Sequence, residues 1–153
     1  MELSHLTPQG KLHMVDVGAK PPMARQAIAS GRILMQAHTI QQVSDGLIVK
    51  GDLLAAAEVA GIMAAKKCAE LIPLCHPLPL DQVEVRAFLL PNGVEVRAHV
   101  RSTGATGVEM EALTAVSVAL LTLYDMCKAI DKEMVIEDIR LLKKTKTKLK
   151  TKS

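Results

Sequence analysis

The residues of this 153-residue chain that can do chemistry fall into a few short clusters. In LIPLCHPLPL, Leu71 to Leu80, Cys75 and His76 stand side by side, fenced by Pro73, Pro77 and Pro79. Proline has no N–H, clashes with the preceding helical turn and drives the residue before it toward extended geometry, so the stretch reads as a stiff loop. Cys75 and His76 make a poor zinc site and a poor nucleophile pair. Adjacent residues seldom supply a tetrahedral site, and a Cys–His couple normally meets in space, not in sequence. Two readings stand: a histidine satisfied by the structure, or an imidazole held rigidly toward an anionic ligand.

A second cluster ends a long helical pattern. Leu113, Val116, Leu120, Leu123, Cys127 and Ile130 recur at intervals of three and four and predict a helix from about Val108 to Asp131. Another stripe runs Thr114, Val118, Leu121, Asp125, Lys128, so an acid and a base at i, i+3 close an apolar strip. Partial burial would lower the lysine pKa and the carboxylate would raise it. The pair reads either as a proton-transfer couple or as a surface ion pair. At the start of this helix, GATGVEMEALT places Glu109 and Glu111 where they suit the helix dipole or accept hydrogen bonds from a base; no Gly-Lys-Ser/Thr follows, so it is not a P-loop. Lys50 in VKGD, and Lys20 and Arg25 in MVDVGAKPPMARQ, are cations ahead of regular elements.

These groups need a scaffold. RQAIASGRILMQ, Arg25 to Gln36, alternates as a strand, with Gly31 as a bulge or close-approach point. TIQQVSDGL reads as a short helix with Thr39 as N-cap, and Asp52 caps a longer one running to Ile72. Its stripe is Leu53, Ala57, Ala60, Ala64, Cys68 and Leu71, small enough for close packing. VEVRAFLLPNGVEVRAHV is a hairpin; taking Asn92-Gly93 as the loop pairs Val85 with Val100, Ala87 with Ala98 and Leu89 with Val96, opposite Glu84–Arg101 and Arg86–His99. MVIEDIRLL is a last strand. The order strand, two helices, two strands, helix, strand predicts an α+β, ferredoxin-like fold, a mainly antiparallel sheet with helices packed on one face.

Composition narrows the function. One Tyr, one Phe and no Trp leave no aromatic platforms for stacking bases, which argues against nucleic acid as partner. No apolar run reads as a membrane span and no signal-peptide core opens the sequence. Three cysteines without CxxC spacing read as reduced thiols of a cytoplasmic protein. The net charge of +3 is concentrated in KKTKTKLKTKS, six of the 19 basic residues, so the body is near neutral or slightly acidic. Residues 1–13 read as a flexible N-terminus, 14–142 as one domain and 143–153 as a flexible lysine-rich tail.

Taken together, HMVDVGAK, KGD, LIPLCHPL, TGVEMEALTAVSVALLTLYDMCKA and DKEMVIEDIRLL resemble, in order, the cyclic pyranopterin monophosphate synthases of molybdenum cofactor biosynthesis, the MoaC family. The resemblance covers about residues 13 to 142 and implies a ferredoxin-like subunit in a homo-hexamer, a trimer of dimers, with interfacial active sites. It implies a lyase acting on (8S)-3′,8-cyclo-7,8-dihydroguanosine 5′-triphosphate, with cyclic pyranopterin monophosphate and pyrophosphate as products. Carried over residue by residue, Asp125, Lys128 and Lys50 would be catalytic, and Leu74, Cys75, His76, Met110 and Glu111 would contact substrate. Arg25 aligns with a basic pocket residue of that family, and Lys20 would join it on the phosphates by its charge. No residue cluster suggests a dedicated cofactor or metal site; any Mg²⁺ is expected on the substrate phosphates. The rival reading is a non-catalytic oligomeric module for a nucleotide or nucleic acid, using the basic tail.

Overall fold

The computed structural model describes residues 4–47 and 52–149. Its elements are β1 (Met23–Leu34), α1 (Ala37–Ser44), α2 (Leu53–Lys66), α3 (Cys68–Leu71), β2 (Gln82–Leu90), β3 (Gly93–Gly104), α4 (Glu109–Cys127) and β4 (Val135–Thr147). The four strands form one antiparallel sheet in the order β2-β3-β1-β4. That order and the βαββαβ succession are the ferredoxin-like α+β arrangement which the pattern predicts. Alternation explains the layers: Ala27, Ala29, Ile33, Val85, Val94, Val96, Ala98 and Val100 point to the helix side and are buried, while Arg86, Arg97 and Arg101 lie on the open face.

Small residues set how closely the helices lie. Ala112, Ala115 and Ala119 of α4 are fully buried, and a Cβ on Gly61 of α2 would come within 2.9 Å of the Ala115 carbonyl oxygen. Gly31 is both things expected of it. The β1–β4 register shifts between Ser30 and Arg32, and a Cβ at Gly31 would meet Leu120 at 2.8 Å and Val116 at 2.9 Å. α4 is long and apolar enough to cross a membrane by length and composition, unlike the sequence expectation, but half of it is buried against the sheet and α2.

Several local expectations need correction. Thr39 is not an N-cap: α1 starts at Ala37, and Thr39 is fully buried with its hydroxyl donating to Asp131 at 3.0 Å. Asp52 does cap α2, accepting from the Ala55 N–H at 3.0 Å. The helix breaks at Lys67, whose N–H turns to the carbonyls of Ala64 and Ala65, and Leu71 ends up 55% exposed. Ile130, placed by periodicity on the core stripe, lies beyond the end of α4 and is exposed. The hairpin register is Val85–Ala98, Ala87–Val96 and Leu90–Gly93, so Pro91-Asn92 is the loop. Proline's fixed φ suits the first turn position, and Gly93 is taken into the sheet opposite Leu34.

The chain ends are also more regular than the sequence suggests. Leu6 and Leu12 form a β-bridge around a turn closed by Gly10 N–H to the Thr7 carbonyl at 2.8 Å. Lys143, Lys144 and Lys146 lie on β4, paired with Ile28, Ala27 and Arg25.

Gly93 has φ +155°, and a Cβ there would fall on the Ile33 carbonyl oxygen. Gly93→Ala is expected to destabilise the fold by about 1–3 kcal/mol or more, read as a lowered urea midpoint with unchanged m-value. An unchanged midpoint would refute this account of the hairpin end.

Candidate active site

The proline loop is pinned before it can bind anything. A turn closes with Cys75 N–H on the Ile72 carbonyl at 3.1 Å. At its far end the Ser102 hydroxyl donates to the Pro79 carbonyl at 2.7 Å, and Asp81 bonds Arg101 through the backbone and Thr103 through its side chain. Three prolines and these contacts leave little freedom to lose on binding. His76 donates Nε2–H to the Val15 carbonyl at 2.7 Å, because a carbonyl can only accept. The ring is therefore a satisfied histidine with a fixed tautomer, and it keeps Nδ1 as its one remaining polar atom.

Under this strap lies a cavity of about 440 Å³. Leu74, Cys75 and His76 of the loop, Met110 and Glu111 of α4, and Lys20 all line it. Six sequence-predicted residues from three segments thus meet in one place. Residues that sequence reading did not single out join them: His5, Val15, Val17, Leu78, Thr106, Gly107 and Glu109. Of these, Glu109 is offered by the sequence as a helix-start acid or as an acceptor for a base. His5 and Thr106 are polar, and the remainder are apolar or glycine wall, which carries no chemical signature in sequence.

Arg25 stands next door. It lines a depression of about 270 Å³ with Gln26, Gly107, Glu109, Lys144, Thr145 and Lys146, sharing Gly107 and Glu109 with the larger cavity. Its Nη2 donates to the Ala105 carbonyl at 3.0 Å, while its Nε is buried with no protein partner. Lys144 pairs with Glu109 at 3.1 Å. These tail lysines had a legible signal, since Lys alternating with Thr is a strand pattern. A deletion from Lys143 would therefore remove strand as well as charge.

Asp125 and Lys128 do not reach the cavity. Fourteen residues of helix separate Asp125 from Glu111, about 21 Å along the axis. The pair is 2.6 Å apart, and both side chains are more than half exposed. The hydrogen bond and charge of Asp125 hold the Lys128 ammonium above its ordinary range, so in the single chain pairing outweighs burial. Lys50 lies outside the described residues. Among the described residues no three His, Cys, Asp or Glu side chains group as metal ligands.

Burial dominates the titration of the groups in and behind the cavity wall. It pushes the Cys68 thiol up to about 12, against a hydrogen bond to Thr114 that lowers it, and it raises Cys75 too. Thiolate chemistry at Cys75 is correspondingly disfavoured at neutral pH. Glu111 is 4% exposed; burial raises its carboxyl above the ordinary 4.5, partly offset by its own N–H, and Glu109 raises it further. A raised carboxyl penalises the folded state once ionised, so its contribution to stability is best below pH 4.5 and declines as pH rises through the folded value. Glu111→Gln is expected to melt higher than the parent at pH 7, with the difference vanishing below about pH 4.5. A lower melting temperature for the variant at pH 7 would refute this.

The geometry can be set beside known proteins. The MoaC family model matches residues 14–147. The cyclic pyranopterin monophosphate synthase of Desulfitobacterium hafniense is 56% identical over 146 residues, covering 95% of this chain and 90% of its own. Those of Heliobacterium modesticaldum and Chloroflexus aggregans are 57% and 59% identical over 145 residues, covering 94% of this chain and 91% and 88% of theirs. With a family model spanning nearly the whole chain and relatives above half identical end to end, this chain belongs to the MoaC family.

Proposed function

We propose that this chain is a cyclic pyranopterin monophosphate synthase of molybdenum cofactor biosynthesis. It acts as a cytoplasmic lyase that converts (8S)-3′,8-cyclo-7,8-dihydroguanosine 5′-triphosphate to cyclic pyranopterin monophosphate and pyrophosphate. The observation that carries this reading is the meeting of Lys20, Leu74, Cys75, His76, Met110 and Glu111 around one cavity. The cavity offers what the substrate needs. Buried Glu111 and loop backbone can accept from a guanine-like ring, while Lys20 and neighbouring Arg25 supply cationic donors for a triphosphate, joined by Nδ1 of His76 when the ring is protonated. Opening the dihydroguanine ring requires proton transfers, for which an acid and a lysine in contact are suited. Closing a cyclic phosphate and expelling pyrophosphate requires fixed positive charge, the role assigned to Lys128 and Lys50. A divalent ion, where one takes part, would enter on the substrate phosphates.

One chain holds the binding groups at one end of α4 and the acid–base pair at the other. A homo-hexamer of three dimers resolves this, each site taking its cavity from one subunit and Asp125–Lys128 from another. Val59 and Met63 of α2 and Leu121 of α4 are more than half exposed, as suits helix faces covered by a partner.

The direct test is pyrophosphate release from the cyclised dihydro-GTP. Lys128→Ala and Asp125→Asn are expected to lose about 10²-fold or more in kcat with unchanged melting temperature, and Cys75→Ser to stay active. Full activity in both charge variants would sink the assignment. A shared site also predicts complementation: mixing and reassembling inactive Lys128→Ala with inactive His76→Ala should restore roughly a quarter of the sites. No recovery would mean that each chain supplies its own pair.

A further inference from the structure

The turn that ends α4 is built around a buried charge which the proposed chemistry does not use. Asp131 is 2% exposed. Its carboxylate accepts from the Gln36 N–H at 2.8 Å and the Thr39 hydroxyl at 3.0 Å, both at the start of α1, and from the Glu133 N–H at 3.1 Å ahead of β4. Its own N–H and that of Ile130 both close on the Cys127 carbonyl, at 3.0 and 2.9 Å. From outside, His38 donates Nε2–H to the Ile130 carbonyl at 2.9 Å, and the Gln36 side chain donates to Glu133 at 2.6 Å. Residues 130–133 are thereby tied to the β1–α1 junction.

Neither the helix dipole nor burial by itself favours a carboxylate here; its donors do. A negative charge beyond a helix C-terminus opposes the helix dipole by about 0.3–1 kcal/mol, and burying an ion costs several kcal/mol before its partners compensate. What a carboxylate can do, and an apolar side chain cannot, is accept three donors from two segments at once and so fix the rotation of the last turn. That turn presents Asp125 and Lys128.

We propose that Asp131, together with Thr39, is a positioning residue for the Asp125–Lys128 pair, locking the end of α4 so that the lysine enters a neighbouring subunit's cavity in one orientation. The inference rests on the synthase reading of that pair. Small errors in the placement of a reacting group cost one to two orders of magnitude in rate while leaving binding through other groups intact.

The full-length protein is assayed with the cyclised dihydro-GTP. Thr39→Val removes one donor at nearly constant shape, Thr39→Ser keeps it, and Asp131→Asn keeps size without charge. Thr39→Val and Asp131→Asn are expected to lower kcat about tenfold with KM within about twofold, and Thr39→Ser to restore it. Amide exchange in Thr39→Val should quicken over residues 124–131 while the first turns of α4 stay protected. Val100→Ala, a cavity in the middle of β3, is the control for mere destabilisation and should keep its kcat per folded protein. If Asp131→Asn fails to fold, Thr39→Val decides. Wild-type kcat in Thr39→Val beside an inactive Lys128→Ala overturns the positioning role and leaves the synthase reading standing. So does an equal loss in Val100→Ala, or no rescue by Thr39→Ser. No turnover by the wild type overturns both.

Discussion

A helix of 19 residues, laid on a sheet by its alanines, is the constraint from which the rest of this structure follows. Ala112, Ala115 and Ala119 let α4 settle on β1 and β3, and Gly61 and Gly31 clear space for it from two sides. None of these contacts allows the helix to bend toward its own N-terminus. The groups at its two ends are therefore held about 21 Å apart, farther than one substrate's reacting centre can bridge. Close packing in the core dictates that binding and proton transfer, if they serve one site, come from different copies of the chain.

The two ends also show which electrostatic effect wins. Glu111 and Asp131 are both almost wholly buried, one at the positive end of the α4 dipole and one beyond the negative end. The dipole alone would lower the first and raise the second. The opposite is found. For both, burial is the largest influence and favours the neutral form; at Glu111 its own N–H does not overcome it, while at Asp131 the Gln36 and Glu133 N–H groups and the Thr39 hydroxyl do, leaving it below its ordinary value. Hydrogen bonds to a charge, about 1.5–3 kcal/mol each, outweigh a dipole effect of about 0.3–1 kcal/mol. The carboxyl at the cavity floor has its own N–H as donor and stays raised, whereas the carboxylate with three donors is a structural fixture.

How much of this was legible in the sequence depended on whether the signal was local. The strand alternation, the Asp52 cap and the burial of Val116, Leu120 and Leu123 follow from periods of two and 3.6 and needed nothing else. The hairpin register was misread by two residues, an even slip that keeps every side chain on its face, so the apolar pattern could not correct it. Thr39 fits the N-cap preference, yet its hydroxyl is engaged by a residue 92 positions away. The lysine tail reads as solvated by charge, yet residues 143–147 pair with β1 as the end of edge strand β4, because an open sheet edge outweighs local composition. At the site, motif resemblance picked out the cavity residues, but the Val15 carbonyl that orients His76 has no side-chain signature at all.

That carbonyl bears on why the proline loop is stiff. A polyanionic substrate brings strong attractions of its own, and a mobile loop would lose about 1–2 kcal/mol of backbone entropy for each residue it had to order. Here much of the ordering is made beforehand: prolines fix φ, Ser102 and Asp81 anchor the far end, and the Val15 carbonyl, ahead of β1, sets the His76 tautomer. With Nε2–H committed to Val15, the ring meets a ligand only through Nδ1, which donates when the ring is protonated and accepts when it is neutral. Under the proposed function the stiff loop would supply orientation and the lysines attraction.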